Sequence, residues 1–213
     1  AKVRTRAAAD ALAALFDDVG RALGLTLVTV ITDGSQPVGH GIGPMLEARD
    51  VMQVLSGDPA APADLREKSL LLAGRVIEFD PTVAPGQGVA RAREILQSGA
   101  ALAKMNAIID AQGRREFEWR APPLGALTAE VSADDEGVVA AIDCERIARI
   151  ARVAGAPKAP SAGVDLMARL DDRVTRGAPL YRIHATSAAE LGFALQVARR
   201  GSAYRVEPAA ATS

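Results

Sequence analysis

The spacing of apolar side chains changes character within the first thirty-odd residues of the chain. Between residues 5 and 24, apolar positions recur every three or four residues, which is the spacing of one face of an α-helix. Thr5 is a typical N-cap, and Gly24 is a typical C-terminal stop. Residues 25–33, LTLVTVITD, are rich in β-branched and apolar side chains, which predicts a parallel strand covered by helices on both faces. A helix followed by such a strand predicts α/β architecture.

A polar turn rich in glycine follows the predicted strand, between residues 33 and 43. Pro44 is well placed as the first residue of a helix that ends near Gly57. Open α/β sheets bind ligands at the C-terminal ends of their strands, so this turn is the first place to search for a binding site. Three further helices are predicted to cover the sheet, over residues 64–78, 87–97 and 100–111.

The pattern breaks after residue 113, where Pro122, Pro123 and Gly125 indicate a linker. We therefore predict a first domain over residues 1–113, a linker over 114–125, a second domain over 126–208 and a tail over 209–213. The second domain contains short, partly alternating apolar segments that predict four strands. These segments begin at Leu127, Gly137, Val164 and Pro179, and helices are predicted over residues 144–153 and 188–200. We expect a small α+β sandwich.

Composition and charge narrow the possible functions. The chain has 213 residues, of which 49% are hydrophobic and 24% charged, so it can bury a substantial core. Its 25 basic and 26 acidic residues give a formal charge of -1, so we expect neither nucleic acid nor an anionic membrane as a partner. The single Cys144 cannot form an internal disulfide, and no apolar run reaches the roughly 18 residues of a membrane span. These features favour a cytoplasmic protein.

The residues around the glycine-rich turn resemble a known enzyme family. The stretch ITDGSQPVGHGIGPMLEARD, residues 31–50, is similar to pyrimidine-nucleoside phosphorylases, thymidine phosphorylases and AMP phosphorylases. Later segments follow the same family in order: LREKSLLLAGRVIE, AREILQSGAALAKMNAIIDAQG, IARIARVAGAPKAPSAGVDLMARLDDRV and GAPLYRIHA. The resemblance implies the last part of a central α/β phosphorylase domain, followed by a small C-terminal domain of the hammerhead or barrel-sandwich type.

The resemblance also implies a reaction. The family catalyses reversible phosphorolysis, in which inorganic phosphate displaces the base of a nucleoside and leaves a sugar 1-phosphate. Its phosphate loop and catalytic side chains precede the stretch matched here, so we expect no catalytic residue in this chain and no activity from the chain alone. Because the chain begins with alanine and enters a helix almost at once, we expect it to be part of a longer, homo-oligomeric enzyme. That enzyme needs no cofactor beyond its phosphate co-substrate.

Lys2 is the candidate substrate-binding residue. The opening AKVRT resembles a segment of AMP phosphorylases in which the lysine contacts the nucleotide, and an ammonium group suits a phosphate oxygen. The resemblance therefore leaves two substrates open. One is a thymidine-like nucleoside, and the other is AMP, which would give adenine and ribose 1,5-bisphosphate.

A structural potassium ion is the candidate metal. By resemblance to pyrimidine-nucleoside phosphorylases, the main-chain oxygens of Val38 and Gly41 and the carboxylate of Asp50 would be ligands, and such a hard ion prefers oxygen. The family usually has glutamate where Asp50 stands, and its other ligands lie outside this stretch. The alternative is a tight turn whose glycines satisfy backbone geometry alone.

The remaining candidates have structural interpretations. His40 is expected to be a solvated loop residue, His184 a hydrogen-bonded structural residue and Cys144 an inert thiol. Asp33 and Ser35 are expected to order the turn through side-chain bonds to the backbone. Two non-catalytic alternatives stay open for the last domain. One is a carrier module modified at Lys158, which lacks the usual flanking residues, and the other is an assembly module.

Overall fold

The computed structural model describes residues 3–115 and 118–209. Within these residues the chain forms seven α-helices and seven β-strands. The helices are α1 (Arg6–Ala22), α2 (Pro44–Ser56), α3 (Ala63–Ile77), α4 (Gly88–Gln97), α5 (Ala100–Ala111), α6 (Cys144–Val153) and α7 (Ala188–Arg199). The strands are β1 (Gly41–Ile42), β2 (Leu127–Ser132), β3 (Gly137–Ile142), β4 (Gly163–Leu166), β5 (Arg173–Val174), β6 (Pro179–Ala185) and β7 (Tyr204–Glu207).

The ends of the first two helices follow local chemistry. The Thr5 hydroxyl accepts a hydrogen bond from the amide of Ala8 at 3.2 Å, which satisfies one of the unpaired amides at the start of α1. Pro44 is the first residue of α2, and Gly57 ends that helix with φ at 69°, a left-handed conformation that glycine adopts at little cost. Both helices therefore begin and end where the sequence predicts.

The strands form two antiparallel sheets. The first has the order β1-β4-β6-β2, and the second has the order β5-β3-β7. Among the described residues, every strand pair is antiparallel. The fold is thus a mixed α/β structure with antiparallel sheets, as expected for the second domain.

The main hydrophobic core lies between the two sheets and helices α6 and α7. Its fully buried side chains come from both sheets, through Val139, Val164 and Ile183, and from α6, through Ile147 and Ile150. The apolar residues of α6 recur at helical spacing, so that one face of this helix is buried and its arginines stay on the other. The core therefore depends on contacts between residues far apart in the sequence.

The predicted parallel strand over residues 25–33 is wrong. None of these residues belongs to a strand in the described structure. Leu25 and Val28 are 57% and 54% exposed, so the segment is not covered on both faces either. A strand exists only through hydrogen bonds to neighbouring strands, and β-branched composition cannot supply those partners.

Strand β1 connects the two halves of the chain. Its residues Gly41 and Ile42 pair with Asp165 and Val164 of β4, although β1 precedes the predicted linker by more than seventy residues. The glycine-rich turn is therefore part of the first sheet and not a free loop. The domain limits proposed from sequence stay a prediction, but this pairing crosses them.

A search of the described residues for membrane-spanning helices found none with the necessary length and apolar character.

The buried face of α6 provides a test of the core. Replacing Ile147, which is fully buried, with alanine should lower the free energy of unfolding by about 2–5 kcal/mol, through lost apolar burial and a residual cavity. Ile108→Ala in α5 is the matched control, since Ile108 is 45% exposed, and it should change stability by roughly 0.5 kcal/mol or less. Urea unfolding measures both, and equal losses would contradict the location of the core.

Candidate functional site

An open groove of about 980 Å³ lies beside the start of α1. One wall is α1 itself, the floor is the extended segment 29–35, and the other wall is the beginning of α6 together with Lys68 of α3. The groove combines apolar side chains with polar ones. Its polar and charged lining includes Arg4, Thr5, Arg6, Thr29, Thr32, Asp33, Ser35, Lys68, Asp143 and Glu145. A groove of this size and mixed lining can hold a small polar ligand.

Asp33 and Ser35 order the floor of the groove. The Ser35 amide and the Ser35 hydroxyl each donate to the Asp33 carboxylate at 2.9 Å. The bond from the Ser35 amide is the main reason why the pKa of Asp33 lies below its usual range. The Lys68 ammonium donates to the Asp33 main-chain oxygen at 2.6 Å, which fastens the floor to α3. The prediction that Asp33 and Ser35 stabilise the turn is confirmed.

An exposed ion pair closes one end of the groove. The Arg4 guanidinium donates to the Glu145 carboxylate at 2.5 Å, which joins the residues before α1 to α6. Both side chains are largely exposed, so solvent screens the pair and its contribution to stability is small.

The Asp50 carboxylate binds the last part of the glycine-rich turn. From here on, the glycine-rich turn means residues 37–43. Asp50 lies on α2, is only 2% exposed, and accepts hydrogen bonds from the amides of His40 and Gly41 at 2.7 and 2.8 Å. Gly39 has φ at 78°, and a Cβ there would lie 2.8 Å from the Asp50 carboxylate. The turn can therefore close around this carboxylate only because its residues include glycine.

Arg49 joins Asp50 to the first sheet. Its guanidinium donates two hydrogen bonds to Oδ1 of Asp50, at 2.8 and 3.0 Å, and two to Asp165 of β4, at 2.8 and 2.9 Å. The Arg49 side chain is only 15% exposed. The hydrogen bonds to Asp165 are the main reason why the pKa of Arg49 lies above its usual value, so the guanidinium stays charged. The result is a carboxylate–guanidinium–carboxylate chain between helix and sheet.

Arg169 holds the same turn from the other side. It follows β4, and its guanidinium donates to the main-chain oxygens of Gly39 and Pro37, the latter at 2.9 Å, and to the Asp64 carboxylate at 2.5 Å. Asp64 in turn accepts a hydrogen bond from the Gly39 amide at 3.1 Å. Two arginines thus hold the glycine-rich turn between α2, α3 and β4. Sequence analysis missed both of them, because nothing in their spacing separates them from surface arginines.

The residues predicted from sequence lie in different places. Lys2 lies outside the described residues. The Gly41 amide, not its main-chain oxygen, contacts Asp50, and the role of Val38, Gly41 and Asp50 as ligands stays a prediction. No group of three or more His, Cys, Asp or Glu side chains in the described ranges is arranged to hold a metal ion. That finding leaves open a site built mainly of main-chain oxygens.

The geometry around Asp50 does not fit a potassium ligand. A carboxylate has about four lone-pair positions, and Asp50 uses them for four N–H donors: two amides and two guanidinium N–H groups. A cation would have to displace a charged guanidinium from the same carboxylate. The residues present therefore fit an arginine-held turn better than an oxygen-ligand cage.

The two remaining reactive side chains are buried to different degrees. Cys144 is the first residue of α6, and burial raises the pKa of its thiol, which opposes thiolate formation. His184 in β6 is buried, and neither ring nitrogen has a hydrogen-bond partner among the described residues. Burial lowers the pKa of His184 despite the opposing influence of Asp165 and the Gly125 backbone. Burial therefore favours the neutral form of His184 in the folded chain.

Comparisons with known proteins agree with this structure. Residues 138–205 match the family model described as the pyrimidine nucleoside phosphorylase C-terminal domain. A relative from Albidiferax ferrireducens, named "Putative thymidine phosphorylase", is 55% identical over 96% of this chain. Relatives with the same name from Methylococcus capsulatus and Rhodopseudomonas palustris are 56% and 51% identical over 99% and 98% of it. The chain belongs to the pyrimidine nucleoside phosphorylase family.

The match covers only part of each relative. The chain spans 39% of the Albidiferax protein and 40% of the Methylococcus protein. It therefore corresponds to less than half of a protein of that kind, and it includes the C-terminal domain of the family.

The glycines of the turn provide a second test. Gly43 has φ at 135°, and a Cβ there would lie 2.5 Å from the main-chain oxygen of Ala162, so Gly43→Ala should cost about 1–3 kcal/mol of stability. Gly34→Ala is the matched control, since nothing lies within 4 Å of its Cβ position, and the change should stay within about 1 kcal/mol. Urea unfolding compares the two, and an equally stable Gly43→Ala variant would mean that the turn can move away from β4.

His184 provides a pH test. Its ordinary pKa is 6.5, and burial lowers the folded-state value, so stability is complete above pH 6.5. Below it the unfolded chain binds a proton that the folded chain does not, and stability falls as the pH drops toward the folded-state pKa. Unfolding free energies between about pH 7.5 and about pH 5.5 should fall less in His184→Leu than in the unmodified chain. An equal decrease in His184→Leu and in the unmodified chain would contradict this assignment.

Proposed function

We propose that this chain forms part of a pentosyltransferase that catalyses the reversible phosphorolysis of thymidine-like nucleosides to a free base and a (deoxy)ribose 1-phosphate. The observation behind the proposal is the 49–56% identity to proteins named "Putative thymidine phosphorylase". The similarity extends over nearly the whole chain, through the groove and the turn as well as the C-terminal domain. Its substrates are a nucleoside and inorganic phosphate, and its setting is the cytoplasm.

The chain supplies one wall of the substrate site. Phosphorolysis requires an environment that stabilises a developing positive charge on the sugar, between an anionic phosphate and a departing base. The groove offers hydroxyl and main-chain groups for hydrogen bonds to a sugar or base, such as those of Thr29 and Thr32. Its described cations are already engaged, since Lys68 contacts Asp33, Arg4 contacts Glu145 and Arg6 contacts Asp10. We therefore assign phosphate binding to the part of the enzyme that this chain does not include.

The exposed apolar surface beside the groove supports the same division of the substrate site between this chain and the rest of the enzyme. The helix α1 and the segment 25–31 expose large apolar side chains next to each other in sequence, and the segment belongs to no strand in the described structure. The exposed residues are Leu12, Leu15, Phe16, Val19, Leu23, Leu25, Leu27, Val28 and Ile31. We expect the part of the protein that corresponds to the remaining 60% or so of the relatives' length to cover these side chains. On this basis the chain alone is inactive, and the complete enzyme is a homo-oligomer with a barrel-sandwich-like C-terminal domain.

The test is phosphate-dependent release of free base from thymidine, uridine, cytidine and AMP. We expect turnover only from a full-length protein that contains this chain, and thymidine should be the best substrate. Turnover by the chain alone would place the catalytic groups within it. A preference for AMP would instead identify a nucleotide phosphorylase. No turnover of any substrate by the full-length protein would favour a binding or assembly role.

Lys2 separates the two substrates further. If AMP is the substrate, Lys2→Met in the full-length protein should weaken AMP use and spare thymidine use, because only AMP has a phosphate for the ammonium to bind. Lys104→Met in α5 is the control, since Lys104 is an exposed lysine outside the groove.

A further inference from the structure

We infer that two guanidinium groups, those of Arg49 and Arg169, take the structural place of a cation in the glycine-rich turn of this protein. The inference concerns how the turn is held and is independent of which substrate the enzyme uses. It rests on the hydrogen bonds around Asp50 and around the main-chain oxygens of the turn.

The carboxylate that would bind a cation is saturated. Oδ2 of Asp50 accepts the two turn amides, and Oδ1 accepts two N–H groups of Arg49. These bonds lie between 2.7 and 3.0 Å, which is the range of good charge-assisted hydrogen bonds. Asp50 is almost completely buried, so its charge needs a partner. Arg49 is that partner, and it leaves no lone pair of Asp50 for a metal ion.

Two main-chain oxygens of the turn are also bound by an arginine, and they are not those of Val38 and Gly41, which the resemblance implied as ligands. The oxygens of Pro37 and Gly39 both accept hydrogen bonds from Arg169. Main-chain oxygens that converge on one point are the usual ligands of a hard monovalent cation. Here they converge on a guanidinium group, whose planar arrangement of N–H donors fixes several acceptors at once. Asp64 balances the charge of Arg169 at 2.5 Å.

Charge pairing supports the same arrangement. Three carboxylates, those of Asp50, Asp64 and Asp165, face two guanidinium groups, and each arginine contacts a carboxylate from another element. The one excess negative charge is stabilised by the main-chain amides that donate to Asp50 and Asp64. An added cation at Asp50 would lie against Arg49, and the repulsion between them would be strong in this buried position. The turn therefore obtains its positive charge from the chain itself.

The decisive measurement uses the full chain in chloride salts of potassium, sodium and choline at equal ionic strength. Thermal unfolding midpoints should be the same in all three salts, and the exchange rates of the His40 and Gly41 amides should also be the same. A saturable rise of the midpoint that is specific to potassium, or slower exchange of these amides in potassium alone, would overturn the inference, because a ligand that binds only the folded state stabilises it.

Variants test the arginines directly. Arg49→Met and Arg169→Met should each lower the folding equilibrium constant by about 100-fold or more, because each leaves a buried carboxylate or converging carbonyl groups without a partner. Arg176→Met is the matched control: Arg176 pairs with Asp135 at 2.8 Å, but both side chains are largely exposed, so the constant should change by less than about 5-fold. Losses no larger than that of the control would overturn the inference. If a methionine variant does not fold, the salt comparison on the unmodified chain still decides.

Discussion

The hydrogen bonds between Asp50, Arg49 and Asp165 determine how the two halves of this chain fit together. Burying charged groups is costly, and a buried series of charged side chains is tolerated only where each group meets an opposite charge in good geometry. Here Arg49 contacts both carboxylates through paired N–H donors, and Asp50 receives two further amides from the turn. The pairing of β1 with β4 lies beside these three side chains. Together they make the glycine-rich turn a part of the sheet instead of a loop on the surface.

This attachment has a consequence for the groove. The groove floor, residues 29–35, leads directly into the turn, and the Lys68 ammonium and the Cys144 thiol contact the backbone of that floor from α3 and α6. Gln36 adds another contact, since its side-chain oxygen accepts a hydrogen bond from the Leu170 amide. The C-terminal sheets therefore help to position residues that face the proposed substrate site. Under the proposed function, where precise placement of groups contributes much of the rate, the C-terminal domain would act by positioning these residues.

The region before the turn shows the opposite situation. The apolar side of α1 and the segment after it remain exposed, and the extended residues lack strand partners in the described structure. Hydrophobic surface of this extent on a soluble domain usually marks an interface. Since the chain spans about 40% of its relatives' length, we expect the rest of the same protein to cover this apolar surface. The domain limits and the completed α/β sheet are thus hypotheses about that larger molecule.

The sequence by itself determined the local elements. The helices α2, α5 and α6 and the strands β3 and β6 lie where periodicity, proline and glycine predicted them, because those signals act within a few residues. The family was also evident from sequence. Only the tertiary structure decided what surrounds Asp50, which segments pair as strands, and that the two-residue strands β1 and β5 exist at all. Several of these features depend on groups distant in the sequence, such as Arg49 and Asp165, which are 116 residues apart, and no local pattern records such a contact.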